Sequence, residues 1–199
     1  MHVLTGVHNL LNMPHFRKRD ATAIIKDLCG VSPIVGILGH RQVGKTTLLE
    51  EICENYTTFD SLNERESAEL DPVAYVDSKK KLNSGIDECQ LVPQIFPALK
   101  EAVRKDKRPG HFILSGSVRF TARKDIHESL TGRMIDLELL PFTVSELNHL
   151  PLPDTLLQIM EKDLNLIRKK ILTGNPKESV RDIERYNQQG GLPDRKSVV

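Results

Sequence analysis

Residues Gly39-His40-Arg41-Gln42-Val43-Gly44-Lys45-Thr46 follow the order G-x-x-x-x-G-K-[ST]. That order suits the binding of a nucleotide's phosphates. Glycines let the backbone wrap closely around an anion and present a nest of N–H donors. A helix starting there adds its partial positive charge. Lys45 would reach the β- and γ-phosphates of ATP, and the Thr46 hydroxyl would ligate Mg²⁺. The candidate nucleotide contacts are Gly39, His40, Arg41, Gln42, Val43, Gly44, Lys45, Thr46 and Thr47. The same pattern can arise in an ordinary glycine turn, so the flanking elements decide.

Three further groups could act on a bound phosphate. In Ile86-Asp87-Glu88, a strand-ending Asp87 would hold Mg²⁺ with Thr46, and Glu88 would polarise the attacking water as general base. An Asp-Glu pair is otherwise solvated surface; its place downstream of the loop singles it out. In Leu114-Ser115-Gly116-Ser117, Ser115 or Ser117 could read the γ-phosphate or orient the water. An ordinary strand-to-loop turn explains these serines equally well. Arg133 could stabilise transition-state charge on a neighbour's nucleotide, as a finger in a homo-oligomer. A surface ion pair is the equal alternative.

The surrounding elements must hold these groups together. Ile34-Val35-Gly36-Ile37-Leu38 is a short apolar run ending in glycine, which predicts a buried strand before the loop. Leu48, Leu49 and Ile52 share one face of a helix expected from Lys45 to about Asn55. Another helix is expected over 16–29, stopped by Gly30. Further strands are expected at Tyr56–Phe59, ending at Ile86, at Phe112–Leu114, and where Ile135, Leu137 and Leu139 alternate with acids. Helices are expected over Pro93–Arg104 and Ala122–Leu130, while 60–82 is polar, with a turn at Asp71-Pro72 and lysines 79–81. Past Pro141 the pattern is helical only: an apolar stripe from Leu156 to Ile171, then a helix capped at Asn175-Pro176 that ends before Gly190-Gly191. Strand–helix alternation up to about residue 140 predicts a parallel sheet covered on both faces.

Composition removes several other classes. The 199 residues carry 28 Lys+Arg against 27 Asp+Glu, a formal net charge of +1. So balanced a charge does not point to nucleic acid or an anionic membrane as partner. No apolar run approaches the roughly 20 residues of a spanning helix, and the N-terminus lacks the pattern of a secretory signal. Three scattered cysteines and seven histidines form no zinc spacing. Unpaired thiols and no leader point to the cytoplasm.

Taken together, the chain resembles the prokaryotic AAA-type ATPases of the AAA_14 group, which usually carry a DUF4143 C-terminal domain. The likeness runs through the phosphate loop, Ile86-Asp87-Glu88-Cys89-Gln90-Leu91-Val92-Pro93, Ile113–Ser117, Ser129–Met134, Leu137–Phe142, Glu146-Leu147 and Gly190-Gly191-Leu192-Pro193. It implies an additional-strand, AAA-like P-loop core. This is a three-layer α/β fold with a five-stranded parallel sheet of order 5-1-4-3-2, followed by a small helical segment. By position, Lys45, Thr46, Asp87 and Glu88 would be the ATP and Mg²⁺ residues, Ser115 or Ser117 the sensor, and Arg133 the finger. The expected organisation is an irregular segment (1–15), an ATPase core (16–142), a helical lid or linker (143–194) and a tail (195–199), with the group's second domain absent.

Two departures shape the functional expectation. The chain stops where relatives of this kind continue. The strand before Asp87 holds Asn83, Ser84 and Gly85, whose polar groups need partners and whose glycine costs entropy. Asp87 and Glu88 are therefore expected to be less rigidly held. The reading is an ATP-binding domain with Mg²⁺-dependent hydrolysis. The rivals are a catalytically silent nucleotide-binding or interaction module, a P-loop kinase and a DNA-associated module.

Overall fold

The computed structural model describes residues 17–80, 83–117, 130–148 and 180–191. They form two compact units, one within residues 21–140 and one of residues 17–20 with those from 141 onward.

The first unit alternates helix and strand. Its elements are α1 (Ala21–Cys29), β1 (Ile34–Leu38), α2 (Lys45–Ile52), β2 (Asn55–Thr58), α3 (Leu62–Leu70) and α4 (Pro72–Ser78). They continue with β3 (Ser84–Asp87), a 3-10 turn (Cys89–Leu91), α5 (Ile95–Lys105), β4 (Phe112–Gly116) and β5 (Met134–Glu138). The five strands make one sheet of order β2-β3-β4-β1-β5, and every adjacent pair is parallel. This is the expected order read from its other edge. Strand β4 separates the strand that leads into the phosphate loop from the strand that ends in Asp87.

Burial explains why β1 and the Phe112–Leu114 part of β4 are legible as apolar runs. All five residues of each strand are buried, because both sheet faces are covered. Ile34 and Leu38 join a cluster with Ile86, Phe112, Leu114 and the inner face of α5. Val35 and Ile37 alternate to the opposite face, where Leu49 of α2 packs over Gly85, the β3 residue in register with Val35 through Ile113.

Several elements differ from the sequence expectation. The stretch 60–82, read only as polar with a turn, contains α3 and α4. Asp71 caps α4, accepting from the Ala74 amide at 2.9 Å, with Pro72 in the first turn. The first helix begins at Ala21 rather than at 16. Residues 17–20 belong instead to the second unit, where the Asp20 amide donates to Glu146 at 2.9 Å. Strand β5 is an edge strand with Ile135 40% exposed, since β1 is its partner on one side only. Its Met134 and Asp136 side chains lie over Gly36.

The second unit contains α6 (Val144–Leu147) and α7 (Val180–Gln189). A capping box between Thr143 and Glu146 starts α6. Buried Arg19 pairs with Glu146 at 3.0 Å and stacks over the Phe142 ring. The Phe142 amide donates to the Gly191 carbonyl at 2.7 Å, tying the two ends of this unit together. The expected Ala122–Leu130 helix, the Leu156–Ile171 stripe, the start of the Asn175 helix and the terminal segments lie outside the described residues, Leu130 excepted.

Candidate phosphate-binding site

The loop between β1 and α2 is shaped by its backbone. Gln42 and Gly44 both have positive φ, 66° and 95°, while Val43 between them does not. Alternating φ of this kind forms an anion-binding nest. Gly44 occupies the α2 N-cap in the left-handed region and gives no side-chain cap. The first amides of α2 are therefore left without a side-chain acceptor. His40, Arg41, Gln42, Thr46 and Thr47 are exposed, whereas Gly39, Val43 and Lys45 are buried.

Lys45 is 8% exposed, and its ammonium donates to the carbonyls of Gly39 and His40, each at 3.0 Å. Among the described residues no carboxylate pairs with it. A buried cation without a counter-charge at an uncapped helix N-terminus is an electrostatic arrangement that favours an anion.

Asp87, 1% exposed, is the most densely bonded group of the site. Thr46 Oγ1 donates to its Oδ2 at 2.6 Å and the Tyr56 hydroxyl to the same oxygen at 3.1 Å. Ser115 Oγ and the Glu88 amide donate to Oδ1, the amide at 3.0 Å. The sheet order makes this possible. β3 lies between β2, which carries Tyr56, and β4, which carries Ser115, and α2 delivers Thr46. The charge of Asp87 is felt around it. The Tyr56 hydroxyl is raised above its ordinary range by burial and by Asp87. The Glu50 carboxyl is raised by partial desolvation and the same charge. Burial, before any charge, pushes the Cys53 thiol up to about 12 and raises Cys89 as well.

The expectation that Asp87 is loosely held is corrected here. Ser84 is buried but its hydroxyl donates to the Lys79 carbonyl at 2.7 Å. Gly85 is where α2 approaches the sheet: a Cβ there would meet Cys53 Sγ at 2.6 Å. The residues that looked like strand weakness are thus a satisfied polar group and a close-packing contact.

Glu88 leaves the strand in the left-handed region, with φ 55° and ψ 41°. For a residue with a side chain this costs of order 1–3 kcal/mol. Its Oε2 accepts from the Gln90 side-chain amide. Ser115 is fully buried against Asp87, while Ser117 is exposed one residue past β4. Arg133 does not join this group. It precedes Met134, the β5 residue paired with Ile34 at the start of β1, whereas the loop follows the end of β1. It therefore stands about a five-residue strand away, roughly 16 Å. Its guanidinium donates to the Thr131 carbonyl at 3.2 Å.

Tyr56 and Gln90 were not singled out by sequence as site residues. Tyr56 had only its β-propensity to mark it, and Gln90 only its place two residues after Glu88.

The residues present fit a nucleotide with a divalent cation. Thr46 and Asp87 converge as hard oxygen donors, the type Mg²⁺ takes. No group of three or more His, Cys, Asp or Glu able to hold a metal occurs among the described residues. An ion here would draw its remaining ligands from phosphate and water, as Mg²⁺ does in nucleotide sites.

A parallel sheet with β4 inserted beside β1, followed by a glycine-lysine-threonine loop at a helix start, defines a P-loop nucleotide-binding protein. Residues 31–148, more than half of the chain, match the AAA domain family of the AAA_14 group, and the chain belongs to that family. It is 33% identical over 132 residues to the uncharacterized proteins Rv2008c of Mycobacterium tuberculosis and Mb2031c of Mycobacterium bovis. Those matches cover 65% of this chain and 30% of each relative, so the chain spans about a third of their length. Similar solved structures include domain III of the Thermotoga maritima replication initiation protein DnaA, at 18% identity and TM-score 0.46, covering 79% of this chain and 84% of that one. Another is a Walker-type ATPase of Pyrococcus abyssi, at 14% identity and TM-score 0.42, covering 88% and 63%. Among the described residues no helix is long and apolar enough to cross a membrane.

Proposed function

We propose that this nucleotide-binding AAA domain binds ATP at Gly39–Thr47 and hydrolyses it to ADP and phosphate with Mg²⁺. The observation that carries the reading is buried Lys45, without a carboxylate partner among the described residues, at an uncapped helix N-terminus. The loop amides and Lys45 bind the phosphates. Thr46 and Asp87 hold the metal, which when bound neutralises phosphate charge and polarises the γ-phosphoryl group. Tyr56 and Ser115 keep the Asp87 carboxylate oriented. Glu88 accepts the proton of the attacking water as its oxygen bonds to the γ-phosphorus and the bond to the ADP oxygen breaks. Arg133 lies too far from its own loop to touch it, so any transition-state role it has is in a second copy of this chain.

Calorimetric titration of ATP with Mg²⁺ against a Lys45→Ala control tests the binding step, and phosphate release against a Glu88→Gln control tests the chemistry. The expected result is binding lost in Lys45→Ala. In Glu88→Gln, binding is kept and turnover falls by about 10²-fold or more, the scale of general-base catalysis. Normal turnover in Glu88→Gln would refute the base assignment. Binding without turnover in the unaltered chain would leave a silent nucleotide-binding module.

A further inference from the structure

The acceptor places on Asp87 are already filled. An ionised carboxylate offers about four lone-pair places, about two on each oxygen. On Oδ1 they are taken by Ser115 Oγ and the Glu88 amide. On Oδ2 they are taken by Thr46 Oγ1 at 2.6 Å and the Tyr56 hydroxyl at 3.1 Å. A divalent cation, or a water that it carries, therefore needs a place that one of these donors now holds. The donors are not equally free to yield. The Glu88 amide is backbone beside the carboxylate, and Ser115 is fully buried. Thr46 can ligate a cation through a lone pair while its hydrogen stays on Oδ2. That leaves Tyr56. It is half-buried on β2, an edge strand, in register with Gly85, while Thr58 is in register with Asp87. Alternation puts Tyr56 and Thr58 on the same face of β2. The Tyr56 hydroxyl thus has a second acceptor at hand. Burial raises its pKa and so does the charge of Asp87, while a hydrogen bond with the Thr58 side chain works the other way. Thr58 Oγ1 accepts from the exposed Asp60 amide at 3.1 Å, and a hydroxyl oxygen has a further lone pair to offer.

We infer that Tyr56 is the handover residue for the divalent cation: its hydroxyl holds the Asp87 lone pair that the cation or its water must take, and turns its hydrogen to Thr58 when the cation is bound. Tyr56 is a positioning residue, since it acts through Asp87 and touches no reacting atom. Before metal entry it helps to orient the carboxylate. At metal entry its O–H rotates, and no covalent bond changes. Tyr56 then exchanges a hydrogen bond to a charged group for one to a neutral hydroxyl, and that exchange lowers the affinity of the site for the cation. The inference rests on the reading that Thr46 and Asp87 hold Mg²⁺, and adds the residue that metal entry must displace.

The test titrates Mg²⁺ into the ADP complex of the unaltered chain, Tyr56→Phe, Thr58→Val and the double variant. Calorimetry reads the metal affinity, and tyrosine emission is recorded alongside. The chain has three tyrosines and no tryptophan, so that emission is seen directly. A phenol bonded to a carboxylate emits weakly. Emission of the unaltered chain should therefore rise with Mg²⁺, and the rise should vanish in Tyr56→Phe. Tyr75 donates to Glu64 at 2.6 Å, away from Asp87, and gives a constant background. Tyr56→Phe should bind Mg²⁺ about tenfold tighter, the difference between a charged and a neutral hydrogen bond. Thr58→Val should bind it about fivefold weaker, the worth of one neutral hydrogen bond, because Tyr56 then has no acceptor to turn to. In the Tyr56→Phe background Thr58→Val should cost nothing. Equal or weaker Mg²⁺ binding in Tyr56→Phe would make the hydroxyl a support alone and overturn the inference. So would Mg²⁺ binding without a change in emission, or an equal loss from Thr58→Val in both backgrounds. Should thermal unfolding show that Tyr56→Phe does not fold, the emission of the unaltered chain and the affinity of Thr58→Val still decide. No Mg²⁺ binding to the ADP complex of the unaltered chain overturns the metal reading and this inference with it. Mg²⁺ binding there with emission unmoved overturns the Tyr56 role alone.

Discussion

Replacing Gly85 with alanine should separate the two halves of the phosphate site. A Cβ at this position would lie 2.6 Å from Cys53 Sγ, 3.1 Å from Cys53 Cβ and 3.5 Å from Leu49 Cδ2. The sulfur can swing about one torsion. The Cys53 Cβ cannot, because the Cys53 amide closes the end of α2 on the Leu49 carbonyl at 2.9 Å. Helix and strand must therefore move apart by a few tenths of an ångström. Overpacking costs about 1–3 kcal/mol, and alanine in a strand regains about 0.5–1 kcal/mol over glycine. Taking the middle of both ranges, the net is a loss of about 1.25 kcal/mol. At roughly 2–4 °C per kcal/mol for a chain of this size, Tm should fall by about 2.5–5 °C. Cys53→Gly in the Gly85→Ala background removes both the sulfur and the Cβ contact, so the pair should be more stable than the sum of the single changes. Thermal and urea unfolding of the four proteins reads this coupling directly. Because α2 carries Lys45 and Thr46 while β3 carries Asp87, Gly85→Ala should also weaken ATP binding measured by calorimetry. Unchanged Tm and affinity in Gly85→Ala, or strict additivity with Cys53→Gly, would refute the close-approach explanation of this glycine.

Other consequences are independent of that contact. Burial pushes the Cys53 thiol up to about 12, so from about pH 9 upward the unfolded chain loses a proton that the folded one keeps. Stability should then fall with rising pH by up to about 1.4 kcal/mol per unit from this group. Urea unfolding between pH 8 and 11 should show a shallower slope for Cys53→Ala, and an identical slope would remove the thiol as its source. If Arg133 serves a neighbouring copy, ATPase activity per chain should rise with protein concentration and Arg133→Ala should abolish that rise. Strictly linear total activity on dilution, with Arg133→Ala unaffected, would exclude the role in trans.

Much of this site is legible in the sequence because its determinants are local. Strand β1 declares itself through five consecutive buried residues, and the loop through the spacing of its glycines, lysine and threonine after that strand. Helix α2 is visible in the spacing of Leu48, Leu49 and Ile52, although it ends at Ile52, three residues short of expectation. Helix α3 is not visible, because Ala68 is its only buried residue and its remaining positions are mostly polar or charged. So weak a stripe gives periodicity nothing to report.

What the tertiary structure alone decides is which distant groups meet. The donors on Asp87 from Thr46, Tyr56 and Ser115 come from 41, 31 and 28 residues away. Composition and period say nothing about such pairs, since they depend on strand order and register. The order of β3 beside β2 and β4 turns Tyr56 from an ordinary strand residue into a support for the carboxylate. Close approach of α2 likewise changes the meaning of Gly85, from an apparent weakness into the contact that brings Thr46 to Asp87. By itself the sequence offered a loop of the phosphate-binding pattern and the acids that could serve it. Three-dimensional packing decided how firmly those acids are held, because a buried carboxylate keeps its orientation only when donors from several elements converge on it.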